Sequence, residues 1–290
     1  MGARTEEWVD RSRTTNANGS APALPQRSFK TLILYPAVGA GSMTTQVVGA
    51  QPVAGPWPLI LFSHGVTSAG SDYVQTLRVF ASAGYVVVAP NYPLSNRYAP
   101  GGPTVVDVFN QIRGDVPFLI TRALAESRAA GWFHGLIDPN RIGLDGHSLG
   151  AVTSIGAGFD PCCADPRVLS VAEWSGVFLP SKGPPRVSPL AKHRPLLIVH
   201  GMDDHTVPYG VAARLYAVAG TPKIEISLPG QGHIPAFVQG FGAPAARVAV
   251  ESTLDFFDAT LKGDPGGLTR IEAVVVRAGP KVAILREDLG

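Results

Sequence analysis

The chain has 290 residues, with 24 Lys and Arg against 22 Asp and Glu and 45% hydrophobic residues. That apolar content supports a large core, and with no basic stripe interleaved with aromatics there is no basis for nucleic-acid binding. No apolar run approaches the roughly 20 residues a membrane-spanning helix needs, so no integral membrane segment is expected.

The first twenty residues are polar, without the apolar stretch of a signal peptide. Met1-Gly2 invites a lipidation reading, but position 6, where a hydroxyl is needed, is Glu6. As written, the chain fits the cytoplasm; export stays open for a trimmed form. Residues 31–35 and 44–48 read as an opening antiparallel pair, and residues 59–62 as the first central strand. That strand runs into Ser63-His64-Gly65-Val66-Thr67. Residues 71–83 read as a helix with Tyr73, Leu77 and Phe80 on one face, Ser71 as its cap and Gly84 at its end. A strand over 85–89 follows. Residues 105–129 are patterned as a helix, with a break or kink expected near Gly114 because of Pro117.

Residues 141–145 form a strand-like run that leads into Gly146-His147-Ser148-Leu149-Gly150. A serine between two glycines at a strand-to-helix turn fits a nucleophile elbow. The turn is so sharp that side chains two positions to either side of the serine would collide, and glycine removes them. Ser148 is therefore the expected nucleophile. The amide of Leu149 is expected to hold the negative charge that develops, helped by Val66 or a neighbour after the 59–62 strand.

Cys162 and Cys163 are the only cysteines; being adjacent they cannot staple distant segments, and they read as free thiols or a vicinal disulfide. Two such ligands make no zinc site, and no metal or cofactor is expected. Residues 167–171 are a further strand. Trp174 beyond it reads either as an aromatic platform for substrate or as a core or rim aromatic. His147, beside the nucleophile, is also assigned to the substrate surface, with Tyr92 and Tyr98 as weaker rim residues. The segment 178–194 is too short for a cap domain.

Residues 195–199 form a buried strand ending in His200-Gly201-Met202-Asp203-Asp204-His205. A carboxylate on this loop can reach a histidine above the sheet. Asp204 is favoured, with Asp203 in reserve and Glu173 more distant; the alternative role for Asp204 is to cap a helix near Pro208. Residues 223–228 alternate as a half-buried strand and lead to Pro229-Gly230-Gln231-Gly232-His233, where His233 is the expected general base. His64 is expected only to hold its own loop. Helices over 211–218 and 244–261 complete the pattern.

In chain order Ser148, Asp204 and His233 match a serine–acid–histidine set. With Leu34-Tyr35-Pro36, Phe62-Ser63-His64-Gly65, Gly84-Tyr85-Val86-Val87-Val88-Ala89-Pro90 and Asp138-Pro139-Asn140-Arg141-Ile142-Gly143, they make the chain resemble serine α/β-hydrolases. The resemblance spans roughly residues 30–262. It points to the branch of dienelactone-hydrolase-like, platelet-activating-factor-acetylhydrolase-like and bacterial polyester hydrolases. It implies an α/β fold with a mostly parallel sheet, helices on both faces and no large cap. It also implies hydrolysis of a small-molecule or polymeric ester by an acyl-enzyme route. The expected layout is an extension with a possible edge strand over 1–29, a catalytic domain over 30–262 and an appendage over 263–290. A monomer is the expected state.

Overall fold

The computed structural model describes residues 1–39 and 45–290. Its strands are β1 (Gly2–Asp10), β2 (Arg27–Tyr35), β3 (Val47–Val48), β4 (Trp57–Ser63), β5 (Val86–Pro90), β6 (Ile137–Gly146), β7 (Val168–Trp174), β8 (Leu196–Gly201), β9 (Lys223–Leu228) and β10 (Ile284–Asp288). They form one sheet in the order β10-β9-β8-β7-β6-β4-β5-β2-β1-β3. From β5 through β9 the neighbours run parallel. β2 and β10 join this parallel block antiparallel, one on each side. The central strands are near-continuous apolar runs because both of their faces are covered; every residue of β5 is buried.

The helices are α1 (Val74–Ser82), α2 (Val108–Asn110), α3 (Val116–Arg128), α4 (Leu149–Phe159), α5 (Gly210–Val218), α6 (Pro235–Val238), α7 (Pro244–Leu261) and α8 (Gly267–Ala278). On one face of the sheet, Phe80, Val250, Phe257 and Ile271 share a core with Ile60, Val87 and Val199. On the other, Leu119, Ile120, Ile155 and Leu215 pack with Leu61, Val88 and Ile198. This is the α/β architecture expected, and the 178–194 segment holds only a short 3-10 turn at Pro189–Ala191.

Three local expectations change. The strand expected over 44–48 does not pair with β2: residues 47 and 48 pair in parallel with β1, which itself lies against β2. Thr44 lies outside the described residues. The helix expected from Ser71 begins as a 3-10 turn, Gly70–Tyr73, held by Asp72 accepting from the Ala69 amide at 2.7 Å, so Ser71 is not its cap. The run expected to break near Gly114 continues through a π turn, Gln111–Asp115, in which the Val116 amide donates to Gln111. Pro117 has no amide to give to the turn before it, and the wider winding accommodates that.

Helix α4 is buried along its whole length. Its glycines make that possible. A Cβ on Gly156 would come within 2.5 Å of Ile112, and one on Gly158 within 2.5 Å of Val171. Small residues thus seat the helix directly on the sheet, and with it the turn from which it starts.

Candidate active site

Strand β6 ends at Gly146 and α4 starts at Leu149, so two residues reverse the chain. Ser148 takes φ 58° and ψ −122°, a conformation that a residue with a side chain rarely adopts. A Cβ on Gly146 would lie 2.5 Å from the Gly150 carbonyl carbon, and one on Gly150 would run into the Ser63 carbonyl. Both glycines of the motif are therefore sterically required. Strands on either side of β6 fix the elbow: the His147 amide donates to Ser63 at 3.1 Å and the Ser148 amide to Trp174 at 2.9 Å.

The structure brings Ser148, His233 and Asp204 together. His233, on the loop after β9, has its Nε2 2.7 Å from Ser148 Oγ and its Nδ1 2.7 Å from Asp204 Oδ2. The other Asp204 oxygen, Oδ1, accepts from the amides of Thr206 (2.9 Å) and Val207 (2.8 Å). One oxygen thus braces the loop while the other faces the imidazole. Burial pushes the Asp204 carboxyl up, but the bonds from His233, Val207 and Thr206 outweigh it and hold the pKa below the usual carboxylate value. An ionised Asp204 requires the proton on His233 Nδ1, which leaves Nε2 free to accept from the serine hydroxyl. His200 stands 3.5 Å from the same carboxylate oxygen, and burial lowers its pKa.

Neither reserve acid takes this place. Asp203 is exposed, with its amide bonded to Gln231. Glu173 is buried, with Oε2 accepting from the Gly176 amide at 2.7 Å. Burial raises its pKa to about 8.

Leu149 is the first residue of α4, and Val66 follows the end of β4. Among the described residues neither amide has a hydrogen-bond acceptor. Both therefore have a donor to give, and the positive end of α4 adds to that of Leu149. His64 accepts the Tyr92 amide at Nε2 (3.0 Å) and faces the Gly65 carbonyl through Nδ1 (2.7 Å). Burial lowers its pKa to about 4, so it serves its own loop as a neutral ring. Leu149, next to Ser148 in the chain, belongs to a small buried apolar cluster with Val108, Ile112 and Val152, against which Val66 and Val177 pack.

The residues expected at the substrate surface are placed elsewhere. Trp174 is fully buried; its ring stacks on Phe237 and its Nε1 donates to Thr253 at 3.0 Å. Its side chain takes the α1–α7 side of the sheet, so it cannot act as a platform. His147 is also buried, with both ring nitrogens engaged inside the protein. Tyr92 is a core residue bonded to Ser63, whereas Tyr98 is exposed. Tyr73, expected only on one face of the 71–83 helix, bonds to both His147 and the Gly65 amide. The available signal was chemical: a buried phenol needs a partner.

Cys162 and Cys163 are joined in a vicinal disulfide. Among the described residues, they and Asp160 form the one grouping spaced for a metal ion. Asp160 already accepts from the Cys162 amide and from Ser181, and sulfurs tied in a disulfide are not thiolate ligands. No helix among the described residues is long and apolar enough to cross a membrane.

A mostly parallel sheet with a sharp serine turn after β6 and a histidine loop after β9 is an α/β-hydrolase fold. Comparison with known proteins agrees. A family model described as chlorophyllase matches residues 40–160. An uncharacterized protein of Mycobacterium tuberculosis (strain ATCC 25618 / H37Rv) is 34% identical over 125 residues, 38% of this chain and 44% of that protein. The chain thus spans less than half the length of this relative. Esterase YjfP of Escherichia coli (strain K12) is 29% identical, covering 58% of this chain and 78% of that protein. Putative esterase YitV of Bacillus subtilis (strain 168) is 26% identical, covering 70% and 89%. A ferulic acid esterase from Streptomyces cinnamoneus shares the fold with a TM-score of 0.69 at 22% identity, over 92% of both chains. The chain is thus similar to serine α/β-hydrolases, in fold over most of its length and in sequence to relatives named as esterases.

Proposed function

We propose that this chain hydrolyses carboxylic esters of short to medium acyl length, with Ser148 as nucleophile, His233 as general base and Asp204 as its orienting acid. The observation that carries the reading is the continuous hydrogen-bonded line Asp204–His233–Ser148, at 2.7 Å on each side of the imidazole, ending on a strained elbow. His233 takes the hydroxyl proton as Ser148 Oγ attacks the ester carbonyl. The amides of Leu149 and Val66 receive the oxyanion. His233 then protonates the departing alcohol, and a water activated by the same ring releases the acid. Relatives named as esterases support the same class.

The test is turnover of p-nitrophenyl esters from acetate to palmitate. Ser148→Ala is expected to abolish it. Asp204→Asn should lower kcat by about 10³–10⁴-fold, because the wrong imidazole tautomer is then favoured, while Asp203→Asn stays near wild type. Wild-type turnover by Ser148→Ala would end this reading, and a larger loss at 203 than at 204 would move the acid by one residue. Release of product from polyester film, run beside the soluble esters, separates a polymer substrate from a small one.

A further inference from the structure

His147 sits between the nucleophile and two loops that the reaction needs. Its Nε2 lies 2.6 Å from the backbone carbonyl of His233, and its Nδ1 lies 2.7 Å from the Tyr73 hydroxyl. That hydroxyl in turn accepts the Gly65 amide at 3.2 Å. The His147 ring also packs 4.9 Å from the His233 ring and 5.1 Å from Phe237.

The direction of every bond follows from the chemistry of the groups. A carbonyl oxygen can only accept, so the proton of His147 must sit on Nε2. Burial, then the neighbouring His233, lowers the His147 pKa to about 3, so the ring is neutral and Nδ1 is bare. Nδ1 must then accept from the Tyr73 O–H. The phenol oxygen keeps lone pairs for the Gly65 N–H. The result is one line: Gly65 N–H to Tyr73, Tyr73 O–H to His147, and His147 Nε2–H to the His233 carbonyl. Gly65 directly precedes Val66, the proposed oxyanion donor. His233 is the proposed base. His147 is bonded in sequence to Ser148.

We propose that His147 and Tyr73 are positioning residues that lock the oxyanion loop, the nucleophile elbow and the base loop into one register. This inference rests on the triad reading above. Neither residue exchanges a proton with substrate. They act by fixing where the Val66 amide and the His233 ring stand relative to Ser148, and preorganisation of this kind is worth most in the transition state.

The first test needs no turnover. In ¹⁵N NMR of the wild-type protein, His147 should appear as a neutral Nε2–H imidazole from about pH 9 down to about pH 5, with slow exchange of that proton. A ring that protonates in that range, or carries its proton on Nδ1, overturns the proposal whether or not the protein is an esterase. The second test is kinetic. His147→Phe keeps a ring but loses both bonds, and it should lower kcat by about 10–100-fold with KM nearly unchanged. His147→Gln can place an amide N–H near the Nε2 position and should recover most of that loss. Tyr73→Phe added to His147→Phe should cost little more, since both break the same line. A folded His147→Phe with wild-type kcat, or a Gln variant no better than Phe, would sink the idea. Failure of the triad reading would look different: wild type itself would then resist a serine-directed phosphonate.

Discussion

At Glu173, under the elbow, a carboxyl is buried with one oxygen on the Gly176 amide and the other unpartnered among the described residues. Burial, opposed only in part by that amide, raises its pKa from 4.5 to about 8. The folded chain therefore holds a proton that the unfolded chain releases above about pH 4.5. Stability from this group is complete below that pH and is lost as pH rises toward 8. Glu173→Gln removes the titration while keeping an oxygen for Gly176. Between about pH 5 and pH 8 the variant should lose less stability than wild type, by about 1.4 kcal/mol per pH unit. Urea melts at each pH measure it, and parallel slopes for the two proteins would refute it. Ser148 and His233 follow from a steric motif and a chain order. Asp204 is also favoured over Asp203 in the sequence, but the way it turns inward is not legible there, because it depends on the Asp204 side chain catching the Thr206 and Val207 amides. The platform reading of Trp174 and the substrate-surface reading of His147 fail for a related reason, while the core reading of Trp174 holds: nearness to Ser148 along the chain does not say which way a side chain points.

The π turn between α2 and α3 is tied to the start of β2 by a buried ion cluster. Arg27 donates through Nε to Asp115 (2.7 Å) and through Nη2 to Asp107 and Asp115 (2.6 Å each). Burial alone would lower the Arg27 pKa, but the bonds and charges of Asp115 and Asp107 raise it, so the guanidinium stays protonated. Arg13 adds a bond to Asp115 at 2.7 Å, and its guanidinium covers Gly114 so closely that a Cβ there would clash. Arg27→Met leaves two carboxylates buried without their main cation, and it should cost about 3–5 kcal/mol. Chemical denaturation measures this, and a loss below 1 kcal/mol would mean that the cluster is solvated. None of it could be read from spacing, since Arg27, Asp107 and Asp115 are far apart in sequence and meet only through the fold. The central strands were readable because burial on both faces makes them apolar throughout. β1 was legible only as a possible edge strand within 1–29, because its middle, residues 4–7, is polar and unburied on a strand near the edge of the sheet.

Across the whole molecule, the last 24 residues extend both the sheet and one helical layer. α8 buries Ile271, Val274 and Val275 in the core shared by α7 and the sheet. Arg270 bonds to Asp255 at 2.5 Å and to Asp264 at 2.9 Å. β10 pairs with β9 along five residues, and Arg286 reaches the buried Glu225 at 2.7 Å. A chain ending at Gly266 would uncover the apolar side of α7, leave Glu225 without its cation and turn β9 into an open edge, which is prone to pairing with other chains. We therefore expect the truncated chain to be recovered mainly as aggregate. Ile271→Ala, a milder change in the same layer, should cost about 2–5 kcal/mol. Because Ile271 belongs to the core layer packed on α7 and not to the Asp204–His233–Ser148 line, kcat per folded molecule should not change. Thermal melts and active-site titration with a phosphonate measure the two quantities separately. A soluble truncated chain melting at the wild-type temperature would make residues 267–290 a dispensable appendage. Loss of both solubility and fold would make them part of the unit that holds the elbow.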